Sequence, residues 1–206
     1  MKRSRVNDIL AEGADFFAKH GWSLPPFAQW AAEKLQGSDG TYIRDRRLGW
    51  DITDYGQGRH DEMGLFLFTM RNGDMTEMGQ QGAMLYAEKL MISRQDQLSP
   101  MHTHVIKAED IINRGGATMV IELFGSDPDG NFDETAGGVV MCDGIRREFA
   151  PGEKLKFAPG ESVTLMPGDW HAFWGEGGDV LIGEVSTVND DLTDNVFREP
   201  IGRFSA

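Results

Sequence analysis

PMHTHVIKAEDIINRGG, residues 100–116, places two of the five histidines of a 206-residue chain in one short segment. His102 and His104 are separated by one residue, Glu109 follows five positions after His104, and Gly115–Gly116 close the segment. On an extended strand, residues two apart project from the same face, so His102 and His104 form a two-imidazole claw. Glu109 has the opposite parity. To join the claw it needs a bend or bulge between residues 105 and 108, a feature favoured at barrel rims and active sites. With that bend, Lys107 shares the parity of Glu109 and faces the same interior. A fourth ligand can come from LMPGDWHAFW (165–174), where a Pro-Gly turn directs His171 inward. Three neutral nitrogens and one carboxylate make a mixed site for manganese, iron, cobalt, nickel or zinc, with open positions left for substrate. His20 and His60 stand alone and read as surface or structural residues.

The surrounding sequence is that of an all-β protein with a helical start. Over residues 4–36, Val6, Ile9, Leu10, Ala14, Phe16 and Phe17 recur at near-helical spacing until Gly21. A second helix is expected from Ser23 as cap, Pro25 and Pro26 in the first turn, and a stripe of Phe27, Trp30, Ala31 and Leu35. After Gly40 come short apolar runs at 64–70, 83–93, 101–106, 117–124, 145–150, 153–158, 162–168 and 179–188. RNGD, SDPDGN, CDG, APGE and GEGGD separate them, all rich in turn-forming residues. Short strands at this spacing, with no alternating helices, predict a sandwich or barrel. The polar, glycine-rich residues 125–143 read as a long loop or hairpin on the rim. Neither an internal repeat nor a low-complexity linker is visible. The expectation is one domain over 1–206, with a helical N-terminal extension (1–40) and a β-sandwich core (41–206).

A net charge of −13 argues against binding nucleic acid or an anionic membrane through a general electrostatic field. The single cysteine, Cys142, excludes an internal disulfide and a thiolate metal cluster, and it suits a reducing compartment. Acidic residues interrupt the basic N-terminus before any apolar run of signal length. No segment approaches the roughly 18 uninterrupted apolar residues of a membrane span. A cytoplasmic protein is expected.

HTHVIKAE with its downstream glycine pair resembles the first cupin motif, and PGDWHAFW (167–174) resembles the second. This resemblance implies a double-stranded β-helix, or jelly roll, with a metal held by His102, His104, Glu109 and His171. The chain departs from the motifs at three places. Asp96 stands where a glycine is usual six positions before the first histidine, the second motif is one residue shorter between Pro167 and His171, and Gly175 replaces a common asparagine. Taken together, HTHVIKAEDIINRGG, GEVSTVNDDLTDNVF (183–197) and the tail IGRF (201–204) resemble the D-lyxose isomerases of the cupin class, which are manganese-dependent. That likeness implies interconversion of D-lyxose and D-xylulose, with D-mannose and D-fructose as a second pair.

Aldose–ketose isomerisation moves a hydrogen between C1 and C2 and a proton between O1 and O2. It calls for a Lewis acid on those oxygens, a base that reaches the carbon-bound proton, and a cation to steady growing negative charge. Lys107 is the candidate cation. Two glutamates interrupt strongly apolar runs, Glu184 in VLIGEVSTV and Glu122 in MVIELF. A carboxylate there must face solvent, be paired or line a cavity. Glu184 is preferred as the base because it lies in the isomerase-like segment, and in a jelly roll its strand should neighbour that of the claw. Glu122 is the second choice. Trp170, Phe173 and Trp174 can wall a sugar pocket or simply be core, and Asn189, Asp190 and Asp191 can bind hydroxyls or form a plain turn.

Other readings are a cupin dioxygenase and a non-catalytic sugar-binding cupin. A sugar-6-phosphate isomerase would need a basic cluster such as Arg146, Arg147, Lys154 and Lys156, although alternation puts the two arginines on opposite faces. Exposed sheet edges and the helical arm point to a homodimer.

Overall fold

A computed structural model of the chain describes residues 1–191 and 193–202. Leu192 and residues 203–206, including Arg203 and Phe204 of the IGRF tail, lie outside the described residues. Helix α1 (Arg3–Lys19) buries Ile9, Gly13 and Phe17 along one stripe. The second expected helix is broken. A 3-10 turn at Pro26–Gln29 gives way to extended backbone at Trp30 and Ala31 before α2 (Ala32–Gln36), and α3 (Thr41–Asp45) carries helix beyond residue 40. The Ala28 carbonyl, which a continuous helix would offer to residue 32, accepts the Trp50 indole N–H at 2.9 Å instead. Phe27 lies on Phe68 with ring centroids 5.4 Å apart. Tertiary contacts override the apolar periodicity here.

The strands are β1 (Gly49–Thr53), β2 (Leu65–Asn72), β3 (Tyr86–Ser93), β4 (Ser99–His104), β5 (Glu109–Ser126) and β6 (Phe132–Asp133). They continue with β7 (Gly138–Cys142), β8 (Ile145–Phe149), β9 (Glu153–Phe157), β10 (Ser162–Leu165), β11 (Trp170–Thr187) and β12 (Asn195–Phe197). β5 and β11 are long enough to serve two layers. The end of β11 and the start of β5 sit in a layer ordered β1-β2-β3-β11-β5-β10-β7-β8. The start of β11 pairs with β4, and the later part of β5 with β9, in the second layer, with β12 along β4. This is the double-stranded β-helix of the cupin fold, built from antiparallel pairs.

Both long strands change layer where the β5–β11 register shifts between Glu176 and Val180, opposite Gly115–Gly116. Gly116 has φ +92°, and a Cβ there would overlap the Asp179 carbonyl, so the crossing requires glycine. Leu65, Leu67, Met91, Ile111, Ile121, Leu123 and Ile182 fill the space between the layers. Phe66, Phe68, Leu90, Ile92 and Leu181 emerge on the opposite face of the first layer and pack with Ile9 and Phe17 of α1. The helix thus covers a sheet face that would otherwise expose large apolar side chains.

The sequence reading does not anticipate β1 and β12, and the segment 125–143 that it reads as a long loop or hairpin holds β6 and β7. β7 lies within residues 125–143 and forms a hairpin with β8, in which Cys142 faces Ile145 across Asp143–Gly144. Both turn residues have positive φ, +50° and +80°, as a tight two-residue hairpin demands. Among the described residues no helix is long and apolar enough to cross a membrane.

Gly13 gives a direct test of the helix–sheet contact, because a Cβ at that position would overlap the Phe66 ring. Gly13→Ala gains about 1 kcal/mol of helix propensity, but overpacking costs about 1–3 kcal/mol. A lower urea midpoint than wild type is expected, and a raised midpoint would show that the ring yields without penalty.

Candidate active site

The bend demanded by parity between residues 105 and 108 is present. Val105 and Ile106 are each 62% exposed, whereas Lys107 and Glu109 are 3% and 4% exposed. The backbone N–H groups of Val105, Ile106 and Lys107 donate to the Asp194 carboxylate at 3.1, 2.7 and 3.0 Å. The Pro167–Gly168 turn is tied to β4, since the Gly168 N–H reaches the Thr103 hydroxyl at 3.1 Å and the His104 carbonyl at 3.2 Å. β11 leaves that turn with His171 directly opposite His102. His102, His104, Glu109 and His171 are thereby brought together, all buried, with ligand atoms within 4.8 Å of one another.

Their hydrogen bonds bear on whether a cation fits. A carbonyl oxygen can only accept, so Nδ1 of His102 donates to Pro100 at 2.8 Å and Nδ1 of His171 donates to Asp169 at 3.0 Å. The neutral rings then keep a bare lone pair on Nε2. His171 Nε2 sits 3.2 Å from Glu109 Oε1, within ion-pair distance, yet it is a buried atom with no hydrogen-bond partner. In the tautomer that donates from Nδ1, Nε2 carries no proton, and a bare nitrogen and a carboxylate oxygen repel at that spacing. A cation between them removes the repulsion. His104 Nε2 donates to the same oxygen at 3.1 Å, a proton that a cation bound at Nε2 would replace.

The electrostatics agree with this reading. Burial pulls the His102 imidazole well below its ordinary pKa, reinforced by His171 and His104. Burial also lowers His104, although Glu109 opposes it. For Glu109 burial works upward, but Lys107 and His104 hold the carboxyl well below the usual range. Neutral imidazoles beside an ionised carboxylate are the states that metal ligation requires. The four residues can hold a metal ion.

Three of the four, His102, His104 and Glu109, line a cavity of about 100 Å³, small beside the roughly 300–1,000 Å³ of drug-sized pockets. Lys107 Nζ donates to Glu184 Oε1 at 3.1 Å and pairs with Glu109 Oε2 at 2.7 Å. Burial acts to lower the Lys107 ammonium, but Glu109 and Glu184 outweigh it and raise the group above its ordinary value. Glu184 follows Val180 and Ile182 on the inward face of β11, while Val185 is 42% exposed. Lys89 Nζ also approaches Glu184 Oε1, at 3.3 Å, and donates to Asn189 Oδ1 at 2.6 Å.

Lys89 is absent from the sequence reading, although the signal that found Glu184 applied to it. It is a charge within an apolar strand, on the parity of buried Ala87 and Met91. Asp51 and Tyr55 also line the cavity and come from the unanticipated β1 and the turn after it. The Tyr55 hydroxyl shares a hydrogen bond with Ser99 Oγ at 2.9 Å, and Phe197 packs against Tyr55 and His102 at 5.7 and 5.5 Å between ring centroids.

Several sequence candidates lie elsewhere. Glu122 sits between Ile121 and Leu123, both fully buried in the core, so its own side chain points outward, 3.9 Å from Lys154. It does not line the cavity. Trp170 bonds Ser126 Oγ, Phe173 is core, and Trp174 lies beneath Lys154 on the outer face. The aromatic walls are Tyr55 and Phe197 instead. The NDD segment divides its work. Asn189 holds Lys89, Asp190 pairs with Arg47, and Asp191 lines the cavity. Arg146, Arg147, Lys154 and Lys156 each face an acidic partner at the surface, Glu148, Glu153, Glu122 and Glu176, and none lines the cavity. They form no phosphate cluster. Asp96, in place of the motif glycine, adopts φ +57°, a left-handed conformation that aspartate tolerates better than most residues.

Residues 1–206 match the family model described as D-lyxose isomerase. The chain belongs to the D-lyxose isomerase family. It is 47% identical over 210 residues to a D-lyxose/D-mannose isomerase of Serratia proteamaculans, covering 100% of this chain and 91% of that protein. It is 44% identical over 212 residues, with the same coverage, to a D-lyxose/D-mannose isomerase of Escherichia coli O157:H7. Among solved structures it resembles Cellulomonas parahominis L-ribose isomerase with L-psicose, at a TM-score of 0.66 and 15% identity, covering 100% of this chain and 97% of that one. An L-ribose isomerase from Acinetobacter sp. DL28 gives a TM-score of 0.67 at 14% identity, again covering 100% and 97%. At such identities the structural likeness speaks for the fold. As a member of the D-lyxose isomerase family the protein is a sugar isomerase, which sets aside the dioxygenase and non-catalytic readings.

Proposed function

We propose that this D-lyxose isomerase family member interconverts D-lyxose and D-xylulose, and D-mannose and D-fructose, using a divalent metal, manganese, held by His102, His104, Glu109 and His171. The observation that carries the proposal is the adjacency of two chemistries: a buried three-histidine, one-carboxylate ligand set, of which His102, His104 and Glu109 line one small cavity, and a Lys107–Glu184 pair in the wall of the same cavity. When bound, the metal supplies a Lewis acid for two neighbouring sugar oxygens. Glu184 takes the proton from C2 of the aldose and returns it to C1, as a carboxylate base does in a water-poor site. Lys107 donates a hydrogen bond to the oxygen on which negative charge grows, and its ammonium is held charged by Glu109 and Glu184. Lys89 helps hold the Glu184 carboxylate in place through the same oxygen, Oε1.

The substrate is a free monosaccharide. Asp51, Glu184 and Asp191 line the cavity along with only two lysines, both engaged with carboxylates, so a phosphate dianion would meet like charge. Offered D-lyxose, D-mannose and D-mannose 6-phosphate in parallel with manganese, the protein is expected to convert the first two and leave the third unchanged in NMR spectra. A chelator should stop the reaction and manganese restore it. Failure to isomerise any pentose or hexose would refute the assignment. A homodimer is also proposed, supported by the strand edges at β1 and β8 and by Ile145, which is 71% exposed on β8. A monomer mass in sedimentation would refute that part.

A further inference from the structure

We propose that Asp194 is a positioning residue that aligns the His104 imidazole and locks the bend carrying Lys107 and Glu109 into the cavity. The three histidines are not oriented alike. His102 and His171 each direct Nδ1 to a main-chain carbonyl two residues back, which fixes their tautomer. His104 hydrogen-bonds Glu109 through Nε2 at 3.1 Å, and its Nδ1 is a buried atom with no hydrogen-bond partner, 3.9 Å from Asp194 Oδ2. A metal taken up at Nε2 would move the ring proton to Nδ1, facing that carboxylate. A carboxylate facing the outer nitrogen of a ligating imidazole holds the ring in one tautomer and strengthens its donor atom. The Asp194 carboxylate is 8% exposed and within reach of that nitrogen.

The same carboxylate accepts the backbone N–H groups of Val105, Ile106 and Lys107. Those residues form the bend that reverses strand parity between His104 and Glu109, without which Glu109 would point away from the claw. Asp194 is delivered from far along the chain by the pairing of β12 with β4, in which Asn195 faces His104. One side chain therefore touches the supports of two ligands, His104 and Glu109, and of Lys107, while itself lining none of the cavity.

This inference rests on the metal reading, and the experiment separates the two. Asp194→Asn keeps the shape but loses the charge and one acceptor oxygen. Asp143→Asn serves as comparison, because Asp143 also accepts a backbone N–H and a hydroxyl, both from Ser162, at a site outside the cavity. Two quantities are measured: manganese affinity by competition with a chromogenic chelator, and amide hydrogen exchange at residues 105–107 in metal-free protein. Asp194→Asn is expected to weaken manganese binding about 10–100-fold and to accelerate exchange at 105–107. Asp143→Asn should do neither. Wild-type affinity and exchange in Asp194→Asn, or an equal loss of affinity in both variants, would overturn the role. If wild type itself takes up no manganese, the metal reading fails, and unchanged exchange at 105–107 would then overturn the bend as well. A third measurement does not depend on the variant folding. In zinc-loaded wild type, long-range proton–nitrogen spectra should place the His104 proton on Nδ1, and a proton on Nε2 would refute the alignment.

Discussion

Replacing His102 and His104 together by alanine is expected to abolish metal uptake and isomerase activity. Wild type should retain about one divalent ion, held by the four-residue ligand set, measured by elemental analysis after dialysis. The double variant keeps only Glu109 and His171, and its affinity should fall by more than the roughly 10–100-fold seen when an outer-shell partner of a metal ligand is lost. Folding should survive, because the truncation opens space beside Phe197 rather than overfilling it, and Glu109 keeps Lys107 as a partner at 2.7 Å. Equal metal content in the two proteins would place the ion elsewhere. Loss of metal together with loss of the thermal transition in chelator would mean that the histidines are structural, and the single variant His104→Ala would then decide whether affinity alone can be reduced.

The second large effect is on chemistry without loss of metal. Glu184→Gln preserves size and hydrogen-bonding capacity but cannot accept a carbon-bound proton. kcat should fall by about 10²-fold or more, the usual scale of a positioned general base. Metal content and KM should stay near wild type, since Glu184 is not among the four clustered ligands. The substitution leaves neither neighbouring ammonium stranded. Lys107 retains Glu109 at 2.7 Å and Lys89 retains Asn189 at 2.6 Å. Glu109→Gln should differ by losing metal along with turnover. Glu122→Gln should behave as wild type, because that side chain points outward beside Lys154. Near-normal kcat in Glu184→Gln would move the base elsewhere in the cavity, with Lys107 and Lys89 the next groups to replace.

The two kinds of success in reading this chain have different physical origins. Strand parity is a local property with a period of two, so His102 and His104 declare a shared face from sequence alone. Glu109 declares equally well that a bend must separate it from them. Charge within an apolar run is also local, and it singled out Glu184. The same criterion fits Glu122, which lies outside the cavity, as well as Lys89, which lines it, because parity says which residues share a face but not which face is the interior. That choice is made by packing. On β5 the fully buried Ile121 and Leu123 claim the core side and turn Glu122 out, while on β3 α1 covers Leu90 and Ile92 and leaves Lys89 facing the cavity.

What the sequence by itself determined was the repertoire of this protein: an all-β fold with a helical start, a His-x-His claw, its bend, and the Pro-Gly turn that presents His171. The tertiary structure alone decided the assembly. It broke the second helix at Trp30 in favour of a hydrogen bond to Trp50, brought β1 and Tyr55 to the cavity rim, and laid β12 along β4 so that Asp194 reaches the bend. Each of these depends on contacts between residues far apart in the chain, whose energies no local pattern records.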